Sequence, residues 1–294
     1  MTHHIHTGAA QPPLRPFLKW AGNKFRIIER IAERLPAGRR LVEPFVGSGA
    51  LFLNTDYEEY LLSDANRDLF ELYTRLRDDG EAFIENARHY FSDEYNNEES
   101  FYALREEFNA ASHNETRAIL FLYLNRHGYN GLCRYNAKGG FNVPFGRYLR
   151  PYFPEKEMRA FHHKAQRAEF KCDSFEKTMK EAREGDVIYC DPPYVPLSVS
   201  ANFTSYSAGG FSMAQQQLLA ELARDNARRG IPVLISNHST TLTRRLYTEA
   251  GGQCSATFAV KRNISCNSLQ RDDASELLAL FTPEFIKVSD KSTC

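Results

Sequence analysis

Apolar positions along the chain fall into two alternating periods. Ile27, Ile28, Ile31 and Leu35 share one face of a helix that Pro36 and Gly38 terminate. Leu41 to Phe45 then reads as a short strand, followed by a glycine-containing turn at Gly47-Ser48-Gly49 and the start of a helix. Tyr60-Leu61-Leu62-Ser63-Asp64 is a second strand ending in an acid, and Asp186 to Cys190 a later one. Ser212 and Gln215 form a capping-box signature for a helix through Leu218, Leu219, Leu222 and Ala223, which Gly230 ends. A strand at Ile231–Ser236, a helix near Thr240–Ala250 and β-rich text around Thr257–Val260 and Leu277–Phe281 complete the series. Strands and helices in alternation predict an α/β fold with a doubly wound, mainly parallel sheet.

Residues 67–160 break the alternation. Helical text (Leu69–Leu76, Phe101–Phe108, Ala118–Leu124) gives way to a loop-rich aromatic stretch, which reads as an inserted, mainly helical domain. The expected division is a polar leader over 1–13, a discontinuous α/β domain from 14–66 and 161–288, the insert at 67–160, and a tail at 289–294. The leader carries His3, His4 and His6, which are read as incidental rather than as metal ligands.

Composition narrows the class. Hydrophobic residues make up 42% of 294, ample for a core, yet no run approaches the roughly 18 apolar residues of a membrane span. No secretory signal pattern opens the chain. The six cysteines contain no C-x-x-C pair, which argues for a reducing compartment and against structural zinc. Lys plus Arg and Asp plus Glu balance at 37 each, so any nucleic-acid footprint must lie in local distribution.

Three strand ends carry candidate chemistry. Gly47-Ser48-Gly49 is a tight turn with exposed backbone N–H groups. Asp64, 17 residues beyond Gly47 at the end of the next strand, is placed to bind ribose hydroxyls. A dinucleotide site needs a third glycine where this chain has Phe52, so the cradle for a pyrophosphate fails. A ribose-containing cofactor without pyrophosphate, S-adenosylmethionine, fits better. At the third strand end, Asp191-Pro192-Pro193-Tyr194 offers a carboxylate for an amino group, a rigid backbone carbonyl at Pro192 and an aromatic face. Together the three indicate methylation of an amino group on a planar base, with no metal required.

The insert suggests the substrate. Between Arg126 and Pro154 lie five basic residues and no acidic one, interleaved with seven aromatics. Basic residues neutralise phosphates, Arg pairs with guanine and Asn with adenine.

These motifs carry a resemblance. Phe17 to Lys24 (FLKWAGNK), Leu41 to Gly47 (LVEPFVG), Arg126 to Asn136 (RHGYNGLCRYN) and Asp191 to Tyr194 are similar to the DNA adenine methyltransferase family, which modifies adenine in GATC. The order of glycine motif, insert and tetrad resembles the alpha-type arrangement of amino-methyltransferases. The resemblance implies that Asp191, Pro192 and Tyr194 are catalytic, and that Trp20, Lys24, Glu43, Phe45, Gly47, Gly49, Asp64 and Asp191 bind S-adenosylmethionine, leaving S-adenosylhomocysteine as product. It implies that Lys19 reads the first guanine and that Leu132, Arg134, Pro144 and Tyr148 read the other base pairs. Tyr129 would intercalate where the adenine leaves the stack, Asn130 would face the orphaned thymine, and Arg105, Arg126, Asn136, Asn142 and Arg147 would hold phosphates. His127 stands where family members often have an aromatic. The expected setting is a monomer on double-stranded DNA, away from membranes, in the cytoplasm of a bacterium or of a phage host. The alternatives are the same chemistry on another DNA sequence and an inactive DNA-binding regulator on this fold.

Overall fold

A computed structural model describes residues 12–112, 114–194, 211–260 and 274–286. Most of the leader and all of the tail expected from the sequence lie outside the described residues. The strands are β1 (Arg40–Glu43), β2 (Glu59–Ser63), β3 (Ala168–Lys171), β4 (Asp186–Cys190), β5 (Val233–His238), β6 (Gln253–Val260) and β7 (Ala274–Phe281). They form one sheet in the order β3-β2-β1-β4-β5-β7-β6. The pairs from β3 through β5 are all parallel. β7 runs antiparallel between β5 and β6, which makes the sheet mixed at one side.

Every residue of β1 and β4 is buried, as strands covered on both faces require. Their alternation divides the core in two. Leu41, Val187 and Tyr189 face one side, with Phe17, Phe52, Tyr73 and Phe161. Val42, Ile188 and Cys190 face the other, with Leu219, Ala223 and Tyr247. At the base of this pair, Arg40 and Asp186 form a buried two-pronged ion pair, 2.9 Å from Nε to Oδ1 and 2.7 Å from Nη2 to Oδ2. That pairing fixes the β1–β4 register at the end opposite the functional rim.

Around the sheet stand α1 (Ile28–Ala32), α2 (Ala50–Asn54), α3 (Arg67–Arg88), α4 (Glu98–Ala110), α5 (Glu115–His127), α6 (Glu155–Ala165), α7 (Phe175–Lys180), α8 (Met213–Arg228) and α9 (Thr241–Glu249). The Ser212–Gln215 capping box is present in full at the start of α8. α3 is longer than the apolar pattern suggests and bends at Gly80 (φ 48°), where a Cβ would collide with the His162 ring. α5 is buried on every side from Ala118 to Asn125, so it is a core helix and not an amphipathic one. The core of the first sheet face continues without a break into the helical insert, through Leu69, Leu72, Leu120, Phe121, Leu124, Phe141 and Val143.

Candidate active site and nucleic-acid interface

The parallel strands end at one rim, and the sheet order reverses between β1 and β4. A crevice opens at such a switch point, and ligands of α/β sheets bind there. The glycine turn follows β1, Asp64 follows β2, and Asp191 follows β4. The three expected strand ends therefore face the same crevice.

Gly47 (φ 47°) and Gly49 (φ 70°) both take left-handed backbone. A Cβ on Gly47 would lie 3.0 Å from Trp20 Nε1, so the indole closes over this turn. Asp64 ties the turn down: its Oδ2 accepts from Gly47 N at 3.1 Å and its Oδ1 from Asn66 N at 2.9 Å. Burial pushes the Asp64 carboxyl above the usual range, against the pull of backbone N–H groups. Tyr73 supports the turn from below, its hydroxyl donating to the Gly47 carbonyl at 2.6 Å.

Glu43, the last residue of β1, is buried, and its Oε1 has no hydrogen-bond partner among the described residues. Burial first, then the negative Asp191, lifts its carboxyl to about 8. Three acids at one rim, one of them with an unsatisfied oxygen, suit a ligand bearing positive charge. S-adenosylmethionine, with a sulfonium and an ammonium, fits that donor set. The Phe45 ring is packed between Phe175 (5.4 Å) and Phe211 (5.6 Å).

Asp191 is held by two groups. Lys24 Nζ lies 2.9 Å from its Oδ1, and Ser236 Oγ donates to the same oxygen at 3.0 Å. Among the described residues both partners sit on Oδ1, which leaves Oδ2 for a further donor. Gln216 Nε2 donates to the Pro193 carbonyl at 2.9 Å, and Asn237 holds Gln216 in turn at 3.2 Å. Tyr194 gives its hydroxyl hydrogen to Glu276 and meets His238 edge-on at 4.5 Å. The Lys24 ammonium sits 4.4 Å from the centre of the Tyr194 ring. The sequence reading missed Ser236, Gln216 and Glu276. A lone acid inside the apolar strand β7 was the available signal for Glu276.

On the insert side, Lys19 meets Tyr148 and Arg126. Its Nζ lies 4.0 Å above the Tyr148 ring and donates to the Arg126 carbonyl at 3.4 Å. Burial, then the Arg126 charge, lowers the Lys19 ammonium to about 8. The Tyr148 hydroxyl accepts from Asn130 N at 3.0 Å, and Asn130 takes left-handed backbone. Tyr129 is 52% exposed, its N–H anchored on the Pro144 carbonyl at 2.9 Å, so an aromatic ring is displayed from a fixed backbone. Arg134 bonds Asn142 through both side chain (2.8 Å) and carbonyl (3.1 Å). Arg105 donates to the Val143 carbonyl at 3.1 Å, and Arg126 to the Tyr152 carbonyl at 3.0 Å. Leu132 packs partly on the core, while Pro144 and Arg147 are exposed. Asn136 spends its side-chain oxygen on Lys138 N and Gly140 N within a turn.

His127 faces inward instead of toward this surface. It stacks on Tyr123 at 4.0 Å, and its Nδ1 bonds the Tyr123 carbonyl at 3.0 Å. Since a carbonyl only accepts, Nδ1 carries the proton, and Nε2 is a buried lone pair with no partner among the described residues.

A model of the family described as D12 class N6 adenine-specific DNA methyltransferase matches residues 20–261. The chain belongs to that family. It is 53% identical over 270 residues to a DNA adenine methylase of Serratia marcescens, covering 91% of this chain and 98% of the relative. The corresponding protein of Vibrio cholerae is 53% identical over 270 residues, covering 92% and 96%. That of Escherichia coli K12 is 50% identical over 277 residues, covering 94% and 99%. The crevice therefore belongs to an adenine-specific DNA methyltransferase, a family that implies S-adenosylmethionine as donor and DNA as substrate. Among the described residues, no helix is long and apolar enough to cross a membrane, and no group of three His, Cys, Asp or Glu side chains is placed to share a metal ion.

Proposed function

We propose that the chain methylates N6 of the adenine in GATC within duplex DNA, flipping that base into the crevice between β1 and β4. The observation that carries this reading is Asp191 at the end of β4, fixed through Oδ1 by Lys24 and Ser236.

The exocyclic nitrogen of adenine is a poor nucleophile, because its lone pair is delocalised into the ring. Inside the duplex it is out of reach, and extruding the base costs a few kcal/mol. In the pocket, Asp191 and the Pro192 carbonyl accept the two amino hydrogens and favour a nitrogen whose lone pair points out of the ring plane. Tyr194 supplies the face on which the base stacks. S-adenosylmethionine, when bound, supplies an electrophilic methyl group on a sulfonium sulfur. Trp20, Lys24, Glu43, Gly47, Gly49 and Asp64 would hold it; Phe45 contributes to that wall through its packing on Phe175. Positioning of this kind supplies about 7–11 kcal/mol when the geometry is near-attack. The Asp191 carboxylate also stabilises positive charge developing on nitrogen.

Residues 67–160 are the target-recognition part in this reading. Lys19, Leu132, Arg134, Pro144 and Tyr148 read bases, Tyr129 and Asn130 fill the gap that the flipped adenine leaves, and Arg105, Arg126, Asn136, Asn142 and Arg147 hold the backbone. The protein acts as a monomer in the cytoplasm. The test is digestion of treated DNA with nucleases sensitive to, or dependent on, methylation at GATC. Acquired resistance to the first and susceptibility to the second are expected; an unchanged pattern with both overturns the assignment.

A further inference from the structure

We propose that Glu276 is a positioning residue for methyl transfer, serving as the second counter-ion of Lys24, toward which the ammonium shifts when the target adenine stacks on Tyr194. This rests on the reading of Asp191 and Tyr194 as the clasp for the base.

Lys24 is buried, and its ammonium has three N–H donors. One reaches Asp191 Oδ1 at 2.9 Å and one the Gly22 carbonyl at 2.8 Å. Glu276 Oε1 stands 4.0 Å from the same nitrogen, outside a direct hydrogen bond but within an ion pair. The ammonium also covers the Tyr194 ring at 4.4 Å. In this arrangement Lys24 holds one oxygen of the Asp191 carboxylate and sits over the ring that a base must stack on. A flipped adenine can reach Asp191 through Oδ2, but its ring competes with Lys24 for the face of Tyr194. Lys24 must shift off that face, and a buried ammonium that loosens its hold on one carboxylate needs another to share the charge. Glu276 is that other: it is 5% exposed, projects from β7 opposite His238 of β5, and already accepts the Tyr194 hydroxyl. One carboxylate thus fixes the ring and offers Lys24 a place to withdraw to. The shift moves the ammonium by a short distance between two carboxylates and leaves the net charge of the site unchanged.

Glu276→Gln tests this, because the amide keeps an acceptor for Tyr194 while removing the charge. Single-turnover methyl transfer to a GATC duplex, at saturating cofactor and DNA, should slow about tenfold or more, in line with the loss of a buried charge partner. Cofactor affinity and thermal midpoint should stay near wild type. Lys24→Met combined with Glu276→Gln should transfer faster than the product of the two single losses, since the charge that needed Glu276 is gone. Glu276→Asp, which keeps the charge, should retain more transfer than Glu276→Gln. Three results would overturn the inference: wild-type transfer by Glu276→Gln, strictly multiplicative losses in the double variant, or Glu276→Asp as the slower of the two single variants. Failure of the wild-type protein to methylate GATC overturns the functional reading instead, and the two failures are read from different samples.

Discussion

The side chain of Asn125, near the end of α5, grips both backbone groups of Lys19. Its Oδ1 accepts from Lys19 N at 2.9 Å, and its Nδ2 donates to Lys19 O at 2.7 Å. The same amide reaches the Gly131 carbonyl at 3.2 Å, so one buried residue joins the amino-terminal segment to the loop carrying Leu132 and Arg134. Asn125→Leu leaves these backbone groups without that partner. Each one that stays buried and unpaired costs about 1–3 kcal/mol. A fall of a few kcal/mol in stability is expected in urea unfolding, together with weaker discrimination between GATC and near-cognate duplexes.

Lys19→Ala and Arg134→Ala should each cost roughly 1–3 kcal/mol of discrimination per lost base contact. Binding measured on cognate and single-mismatch duplexes at one salt concentration separates the outcomes. Equal weakening on every sequence would remove these two residues from base reading.

His127 gives the fold an acid-sensitive position. Burial lowers its imidazole to about 4 in the folded chain, below the unfolded value of 6.5. The unfolded chain therefore binds the extra proton first. This contribution to stability is complete above pH 6.5 and is lost as pH falls toward 4, by at most about 3 kcal/mol. His127→Phe keeps the stacking on Tyr123 and Phe91, and removes the unpartnered Nε2. Its thermal midpoint should fall less than that of the wild type between pH 6.5 and 4. Parallel curves would show that another group governs that window.

Much of this architecture was legible because the decisive signals are local. β1, β4 and β5 are runs of adjacent apolar residues, and the Ser212–Gln215 box announces α8 within four positions. The glycine turn, Asp64 and Asp191 each follow such a run directly, so their meeting at one rim follows from parallel pairing. β3 escaped notice because only Ala168 and Phe170 face inward along Ala-Glu-Phe-Lys, too short a pattern to separate from a loop. α6 also went unread; Met158, Phe161 and Ala165 form its buried stripe between charged neighbours. The placement of β7 between β5 and β6 is a property of the whole sheet, and no local pattern encodes it. Glu276 reaches Lys24 and Tyr194 only through that placement, which is why the second carboxylate of the site stayed hidden. His127 stands two residues before Tyr129 in sequence, but at the end of α5 its ring turns into the core, a direction that sequence spacing does not encode.

Gln216→Ala probes how far the tetrad depends on its backing. It removes the amide that holds the Pro193 carbonyl at 2.9 Å, without touching Asp191. The expected result is a lower kcat with little change in KM for DNA, since small misplacements of reacting groups slow chemistry strongly. A raised KM at constant kcat would instead assign Gln216 to substrate binding.

The most direct measurement is transfer of a labelled methyl group to a duplex holding a single GATC, catalysed by the wild-type protein and by Asp191→Ala. The wild type should place the label on adenine N6. The variant should bind the same duplex and transfer none. A near-normal rate from Asp191→Ala, or label on any other atom, would contradict the account.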